Sequence, residues 1–346
     1  MNMRILAAGD HFVTASLLVD AINRQIPGGV TLSELTLPWP VQPFGRVGEV
    51  DEASGTEDEL IQALQGVEIC VTQMAPLTEK VLSACPDLRL FCIGRGGPVN
   101  ANLEAATRHG VAITYAPGRN STATAEHTVA MMLAAARRIP STHGDLLGGQ
   151  WRGDYYMYDR VGPELEGSTV GLIGYGAIGR KVARILGGFG ADVLVYDPYV
   201  RQEDVGSAQL VDLPELLRRS RIVSLHARAT EETAGMIGAA EIASMPAGSI
   251  LVNCARGALL DYDAALDALE RGQLFGAAFD VFPEEPIPGA SRLLTTAGVV
   301  MTPHLAGSSK ETARNAAEII AAEVGRYIRG EALHYRANPF SSVAPS

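Results

Sequence analysis

Short apolar runs alternate with helix-spaced segments along the first third of the chain. Residues 5–8, 31–37, 67–72, 88–93 and 111–114 read as strands, and 16–24, 57–65 and 103–108 keep apolar positions at helical spacing. Strands alternating with helices imply βαβ units and a parallel sheet with right-handed crossovers. From Thr122 a long helix is expected, with Val129, Met132, Leu133 and Ala136 on one face, Ser121 or Thr122 capping its start and Pro140 marking its end. A polar stretch rich in Gly and Tyr follows over 148–162. The alternation then restarts, with strands expected at 169–173, 192–196, 221–225, 249–252, 275–280 and 299–301 and helices at 178–186 and 262–271. The last helix, near 310–329, needs a surface to pack against and is assigned to the first domain. The expected architecture is α/β, with two doubly wound parallel-sheet domains. One is discontinuous, 1–120 with 305–346, and the other spans 121–304. There is no internal repeat and no low-complexity tract.

Composition narrows the classes of function. A length of 346 residues fits two domains of ordinary size, and a net charge of −11 argues against a nucleic-acid partner. The four cysteines, Cys70, Cys85, Cys92 and Cys254, show no metal-ligand spacing, so no metal is expected and they read as buried thiols of a reducing compartment. No apolar run approaches the roughly 20 residues of a membrane span, and the N-terminal run is too short for a signal peptide. A cytoplasmic protein without a membrane partner is expected.

Gly174-Tyr175-Gly176-Ala177-Ile178-Gly179 follows an expected strand and opens an expected helix. In that context Gly174 permits a tight turn, Gly176 lets the backbone approach a pyrophosphate, and Gly179 lets the helix pack on the strand. The helix N-terminus offers free N–H groups to the phosphates. Asp197 ends the next strand, about 20 residues on, where a carboxylate accepts hydrogen bonds from the adenosine ribose and repels a 2′-phosphate. NAD is therefore expected over NADP. A turn aspartate before Pro198 is the bland alternative.

Three further words supply the chemistry. They are Asn253-Cys254-Ala255-Arg256-Gly257, Asp280-Val281-Phe282-Pro283-Glu284-Glu285-Pro286 and Thr302-Pro303-His304. Singly, Arg256 reads as a surface ion-pair partner, Glu285 as part of a solvated acidic turn and His304 as a structural histidine. Their placement changes that balance, because each lies just past the end of an expected strand, where open α/β sheets build their sites. An arginine fork grips a carboxylate and polarises the adjacent carbonyl. A histidine of near-neutral pKa passes a proton to that carbonyl and back, and a carboxylate against it orients the ring and favours its protonated form. With a nicotinamide, the trio points to hydride transfer at the carbon next to a carboxylate.

On these words the chain resembles the D-isomer-specific 2-hydroxyacid dehydrogenase family, from about Val67 through the last helix. Further matches are Asn102-Leu103-Glu104-Ala105-Ala106, Pro117-Gly118-Arg119-Asn120-Ser121, Ala125-Glu126-His127-Thr128 and Glu164-Leu165-Glu166-Gly167. The resemblance implies a central Rossmann NAD domain, a flavodoxin-like substrate domain built from both chain ends, an active site in the cleft between them, and homodimers formed largely through the NAD domains. It implies Arg256 as substrate ligand, Glu285 as orienting carboxylate and His304 as acid/base. It extends the cofactor contacts beyond Gly174, Gly176, Gly179 and Asp197 to Ala177, Ile178, His226, Ala255, Gly307 and Asp280, the last near the nicotinamide amide. It places Arg95, Gly96 and Gly97 with Arg256 around a 2-hydroxy or 2-keto acid. The chain departs from the family pattern in a shorter loop over 94–100 without its usual aspartate, in Arg228 where proline is usual, and in Ala177 where arginine is common. No regulatory domain is expected after Arg329.

A non-enzymatic, NAD-sensing binding protein of the same fold, like the family's corepressor, is the competing expectation. The stiff loop Pro38-Trp39-Pro40-Val41-Gln42-Pro43-Phe44 reads either as a wall of the substrate pocket or as a surface anchor.

Overall fold

The computed structural model describes residues 3–39 and 45–339. The chain divides into two compact units, Met1–Asn120 with Ser309–Ser346, and Ser121–Ser308.

The first unit runs β1 (Met3–Gly9), α1 (Ala15–Gln25), β2 (Val30–Thr36), α2 (Glu57–Ala63), β3 (Ile69–Thr72), α3 (Glu79–Ala84), β4 (Leu90–Ile93), α4 (Leu103–Arg108) and β5 (Ala112–Tyr115). Its helices begin where the sequence offers caps. Thr14, Thr56, Thr78 and Asn102 each accept a backbone N–H of the first turn, and Thr56 and Glu59 complete a capping box. The strands are all parallel, in the order β2-β1-β3-β4-β5, which is the flavodoxin-like winding. β3 and β4 are buried on both faces, hence their unbroken apolar runs, whereas edge strand β2 alternates.

The second unit begins with α5 (Ser121–Ala136) and α6 (Ile139–Leu147). Here the expectation for Pro140 is refined. The long helix already stops at Ala136, and Pro140 sits in the first turn of the next helix, where its missing N–H has no acceptor to lose. Then follow β6 (Thr169–Ile173), α7 (Ala177–Gly188), β7 (Asp192–Tyr196), β8 (Gln209–Leu210), α8 (Leu213–Arg219), β9 (Ile222–Leu225), α9 (Ala239–Ser244), β10 (Ser249–Asn253), α10 (Tyr262–Glu270), β11 (Leu274–Phe279) and β12 (Val299–Met301). The seven parallel strands lie in the order β12-β11-β10-β9-β6-β7-β8, which is the Rossmann winding with one added strand. The short β8 carried no sequence signal of its own.

The chain then returns to the first unit as α11 (Lys310–Ile328), capped by Ser309. Its Ala313, Ala316, Ala317, Ile320, Ala321 and Val324 join α1 against one face of the five-stranded sheet. Beyond it Asn338 binds the edge of β5, accepting from Ile113 N and donating to Val111 O and Thr107 Oγ1. Among the described residues no helix is long and apolar enough to cross a membrane, and no cluster of His, Cys, Asp and Glu could hold a metal ion.

Candidate active site

The register of the seven-stranded sheet decides which side chains can meet. Ile173 pairs with Tyr196 and with Leu225, Leu225 with Asn253, Asn253 with Phe279, and Phe279 with Met301. These six residues form one row across the sheet. The next residue on each strand, Gly174, Asp197, His226, Cys254, Asp280 and Thr302, therefore lies just past a common edge. The glycine fingerprint and the three words that supply Arg256, Glu285 and His304 all begin at or beside that edge.

The fingerprint glycines each meet the need that selects them. Gly174 has φ +101, and a Cβ there would lie 2.7 Å from Ala227 N. At Gly179 a Cβ would lie 2.3 Å from Gly174 O, so the helix approaches the strand only because that position is bare. At Gly176 a Cβ would meet nothing, which is the open side a pyrophosphate needs. Ala177 and Ile178 open α7, whose first N–H groups face the same end.

Asp197 makes the turn contact of its bland reading and a second contact to the fingerprint. Oδ1 accepts Tyr199 N at 2.9 Å, a turn contact, and Oδ2 accepts Tyr175 N at 2.7 Å inside the fingerprint. The carboxylate is thus held in place at the fingerprint turn. His226 bonds Ser224 Oγ through Nε2 at 3.0 Å, and burial pulls its pKa down to about 4, so the ring is neutral at physiological pH. Arg228 is exposed, and its carbonyl accepts from Thr233 Oγ1.

Arg256 sits on the loop after β10, which Asn253 folds. The Asn253 side chain accepts Ala255 N at 3.0 Å and donates to Arg256 O at 2.9 Å and Tyr262 Oη at 3.2 Å. Gly257 locks this loop to the next, since a Cβ there would lie 2.1 Å from Phe282 O. The exposed guanidinium of Arg256 bonds only its neighbour's carbonyl, Ala255 O, among the described residues.

Glu285 and His304 come from different strand exits and meet. His304 Nδ1 lies 2.7 Å from Glu285 Oε2, while Glu285 Oε1 accepts Phe282 N at 2.9 Å. Burial alone would push the Glu285 carboxyl up, but the His304 contact and the Phe282 N–H outweigh it and hold the pKa below its ordinary value. His304 Nε2 has no hydrogen-bond partner among the described residues. His304 has φ +54, the left-handed region, in which a non-glycine backbone is strained.

Asp280, fully buried, holds that backbone in place. Oδ1 accepts Leu305 N at 2.8 Å and the Thr302 hydroxyl, and Oδ2 accepts Ala306 N at 2.8 Å. His127 of α5 adds Nε2 at 3.0 Å from Thr302 Oγ1 and 3.5 Å from Asp280 Oδ1. His304 is thus fixed on one side by Glu285 and on the other by the two N–H groups that follow it. Sequence reasoning singled out neither Thr302 nor His127 as a holder of the site, although both stand inside quoted words. Only the fold shows them beside Asp280, Thr302 through the register row and His127 through the packing of α5 on the sheet. Gly307 lies in the turn leading to α11.

In the first unit, Arg95 follows β4 and pairs with Glu52, to whose carbonyl it also donates. Gly96 and Gly97 have open space where side chains would be. Trp39 is exposed, and positions 40–44 of the proposed pocket wall lie outside the described residues.

Residues 129–306 match the profile of the D-isomer specific 2-hydroxyacid dehydrogenase, NAD binding domain. The chain is 38% identical over 290 residues to the D-3-phosphoglycerate dehydrogenase of Methanocaldococcus jannaschii, covering 82% of this chain and 54% of that protein. It is 36% identical over 285 residues to the glyoxylate reductase of Korarchaeum cryptofilum, covering 81% and 86% respectively. The crystal structure of the TT0316 protein from Thermus thermophilus superposes with a TM-score of 0.77 at 28% identity, over 97% of this chain and 100% of that one. The chain belongs to the D-isomer specific 2-hydroxyacid dehydrogenase family, and 129–306 is its NAD-binding domain. It spans about half the length of the phosphoglycerate dehydrogenases it matches.

Proposed function

We propose that this chain is an NAD-dependent oxidoreductase that interconverts a D-2-hydroxy acid and its 2-keto acid. The observation that carries the reading is the His304–Glu285 pair, held at the strand exits of the sheet that bears the fingerprint. Bound NADH supplies the hydride that reduces the keto carbon. His304 donates the proton to the carbonyl oxygen from Nε2 and takes it back in the reverse direction. Glu285 orients the ring through Nδ1. Arg256 grips the substrate carboxylate in a two-pronged contact. Arg95, Gly96 and Gly97 are the first unit's contribution to the substrate. Gly174, Gly176, Ala177, Ile178, Gly179, Asp197, His226, Ala255, Asp280 and Gly307 are assigned to the cofactor, with 1–120 and 305–346 as the substrate domain and 121–304 as the NAD domain.

NADH oxidation measured against a panel of 2-keto acids tests the reading, with at least one member expected to be turned over. NADH binding with no turnover across the panel would favour the NAD-sensing alternative.

Asp197 sets the cofactor preference. Asp197→Ser combined with Tyr199→Arg should move the ratio of kcat/KM for NADH and NADPH towards NADPH. It should also raise the KM for NADH, because Tyr175 N and the N–H of residue 199 lose their acceptor. Equal use of both cofactors by the unmutated protein would remove Asp197 from this role.

The family's cytoplasmic, homodimeric habit is carried over as part of this reading. Support for the dimer comes from residues 139–161, where Leu147, Trp151, Tyr156 and Tyr158 are between 77% and 96% exposed. A single-chain mass in sedimentation at micromolar concentration would exclude it.

A further inference from the structure

In a parallel sheet of order 2-1-3-4-5, the winding reverses between β1 and β3, and ligands bind beyond the carboxyl ends of the strands there. Ala8 pairs with Thr72, Thr72 with Ile93, and Ile93 with Tyr115, so these strands end level. Just past that row stand Asp10 after β1, Gln73 after β3, Arg95 after β4 and Arg119 after β5.

Arg119 is the unusual member of this group. Its Nη1 donates to Gln73 Oε1 at 3.3 Å, a long bond to a neutral acceptor, and its backbone carbonyl accepts Asn315 Nδ2 at 3.2 Å. Its Nε is buried and has no hydrogen-bond partner in the protein. Among the described residues no carboxylate reaches it within ion-pair distance. Arg95, by contrast, has Glu52. Asp10 is 2% exposed and spends Oδ1 on Phe12 N and Val13 N, while Oδ2 is buried and also unpartnered. Burial and the charge of Arg95 pull the Arg119 pKa down to about 10 against the opposing charge of Asp10, and burial pushes the Asp10 carboxyl up. A guanidinium largely withdrawn from water, with no carboxylate in contact and only the more distant charge of Asp10 to offset it, is costly, and an incoming oxyanion lowers that cost.

We propose that Arg119, beside Gln73 at the reversal point of the five-stranded sheet, is an anion anchor that selects small acids with a second acidic group, a carboxylate or a phosphate. This rests on the 2-keto-acid reading above and adds to it the class of side chain preferred.

The test compares a monoanionic 2-keto acid, a 2-keto diacid and a phosphorylated 2-keto acid on the unmutated enzyme, Arg119→Met and Arg119→Lys at constant ionic strength. One charge-assisted contact corresponds to about 10- to 100-fold. The unmutated enzyme should therefore favour one of the doubly acidic substrates, and which one identifies the group as carboxylate or phosphate. Arg119→Met should lose that preference by about 10- to 100-fold in kcat/KM, with the monoanion changed less than about threefold. Arg119→Lys, which keeps the charge, should retain part of the preference and the melting temperature. A uniform fall for all three substrates in both variants, or no preference in the unmutated enzyme, would overturn the proposal. Inorganic phosphate gives an arm independent of turnover. It should bind the unmutated holoenzyme in calorimetry and bind Arg119→Met at least tenfold more weakly; equal binding counts against the anchor even if no keto acid is reduced.

Discussion

Removal of the His304 imidazole should lower turnover by about 10²–10⁴-fold, the usual contribution of a general acid–base group, with NADH binding nearly unchanged. The choice of variant matters because His304 has φ +54. Alanine at that φ adds strain of about 1 kcal/mol, whereas asparagine tolerates the left-handed region. His304→Asn therefore isolates the chemistry from the backbone, and both variants should lose turnover alike. Steady-state kcat and quenching of protein fluorescence by NADH separate the two effects. Turnover within threefold of normal in His304→Asn would exclude the ring as proton donor. Arg256→Lys should lose substrate affinity and turnover together, since a point charge does not reproduce a planar fork.

Asp280→Ala should have the second large effect, and it should fall on stability as well as rate. The carboxylate accepts from Leu305 N, Ala306 N and Thr302 Oγ1, and His127 lies against the same group. Truncation leaves these donors without their acceptor, a cost of roughly 3–5 kcal/mol for a broken buried charged network. The turn then no longer holds His304 in its left-handed conformation, so kcat should fall by about 10²-fold or more. The pH dependence has a definite sign. Burial would raise the Asp280 pKa, but the bonds from His127, Thr302, Ala306 and Leu305 outweigh it and hold it below its ordinary value. A depressed carboxylate contributes stability that is present above its unfolded pKa and is lost as pH falls through the folded one. The unmutated protein should thus lose this contribution only below about pH 4, and Asp280→Ala should show a flatter stability profile there. A melting temperature within a degree or two of the unmutated protein, with normal kcat, would show that the loop holds itself.

The alternating pattern was enough to place nearly every strand and to assign the last helix to the first sheet. Strong signals did that work, above all the apolar runs of β3, β4 and β10; the cap expected at Ser121 or Thr122 was not one of them, since α5 starts at Ser121 itself. The Gly174 fingerprint was legible because Gly174 and Gly179 have separate steric reasons. Arg256, Glu285 and His304 were legible as residue types past strand ends. Their mutual geometry was not, because it depends on register, which no single strand encodes. The same limit hid Thr302, and it hid Arg119 beside Gln73. These partners are far apart in sequence and become neighbours only when strands end level. Pro140 shows the opposite case, a clear local signal with two valid meanings, helix stop and helix first turn.

The return of α11 to the first sheet has a consequence for how the protein is made. One face of that sheet is covered by Ala313, Ala316, Ala317, Ile320, Ala321 and Val324. As the chain leaves the ribosome, the first 120 residues emerge without this cover, and the whole second unit must be translated before it arrives. At ordinary elongation rates that interval is roughly 10–40 s. During it the apolar faces of β1, β3 and β4 wait, while Ser121–Ser308, contiguous in sequence, has all it needs to fold at once. The order of maturation is therefore opposite to the order of synthesis. Nascent chains stalled before Lys310 are expected to be the ones that engage chaperones.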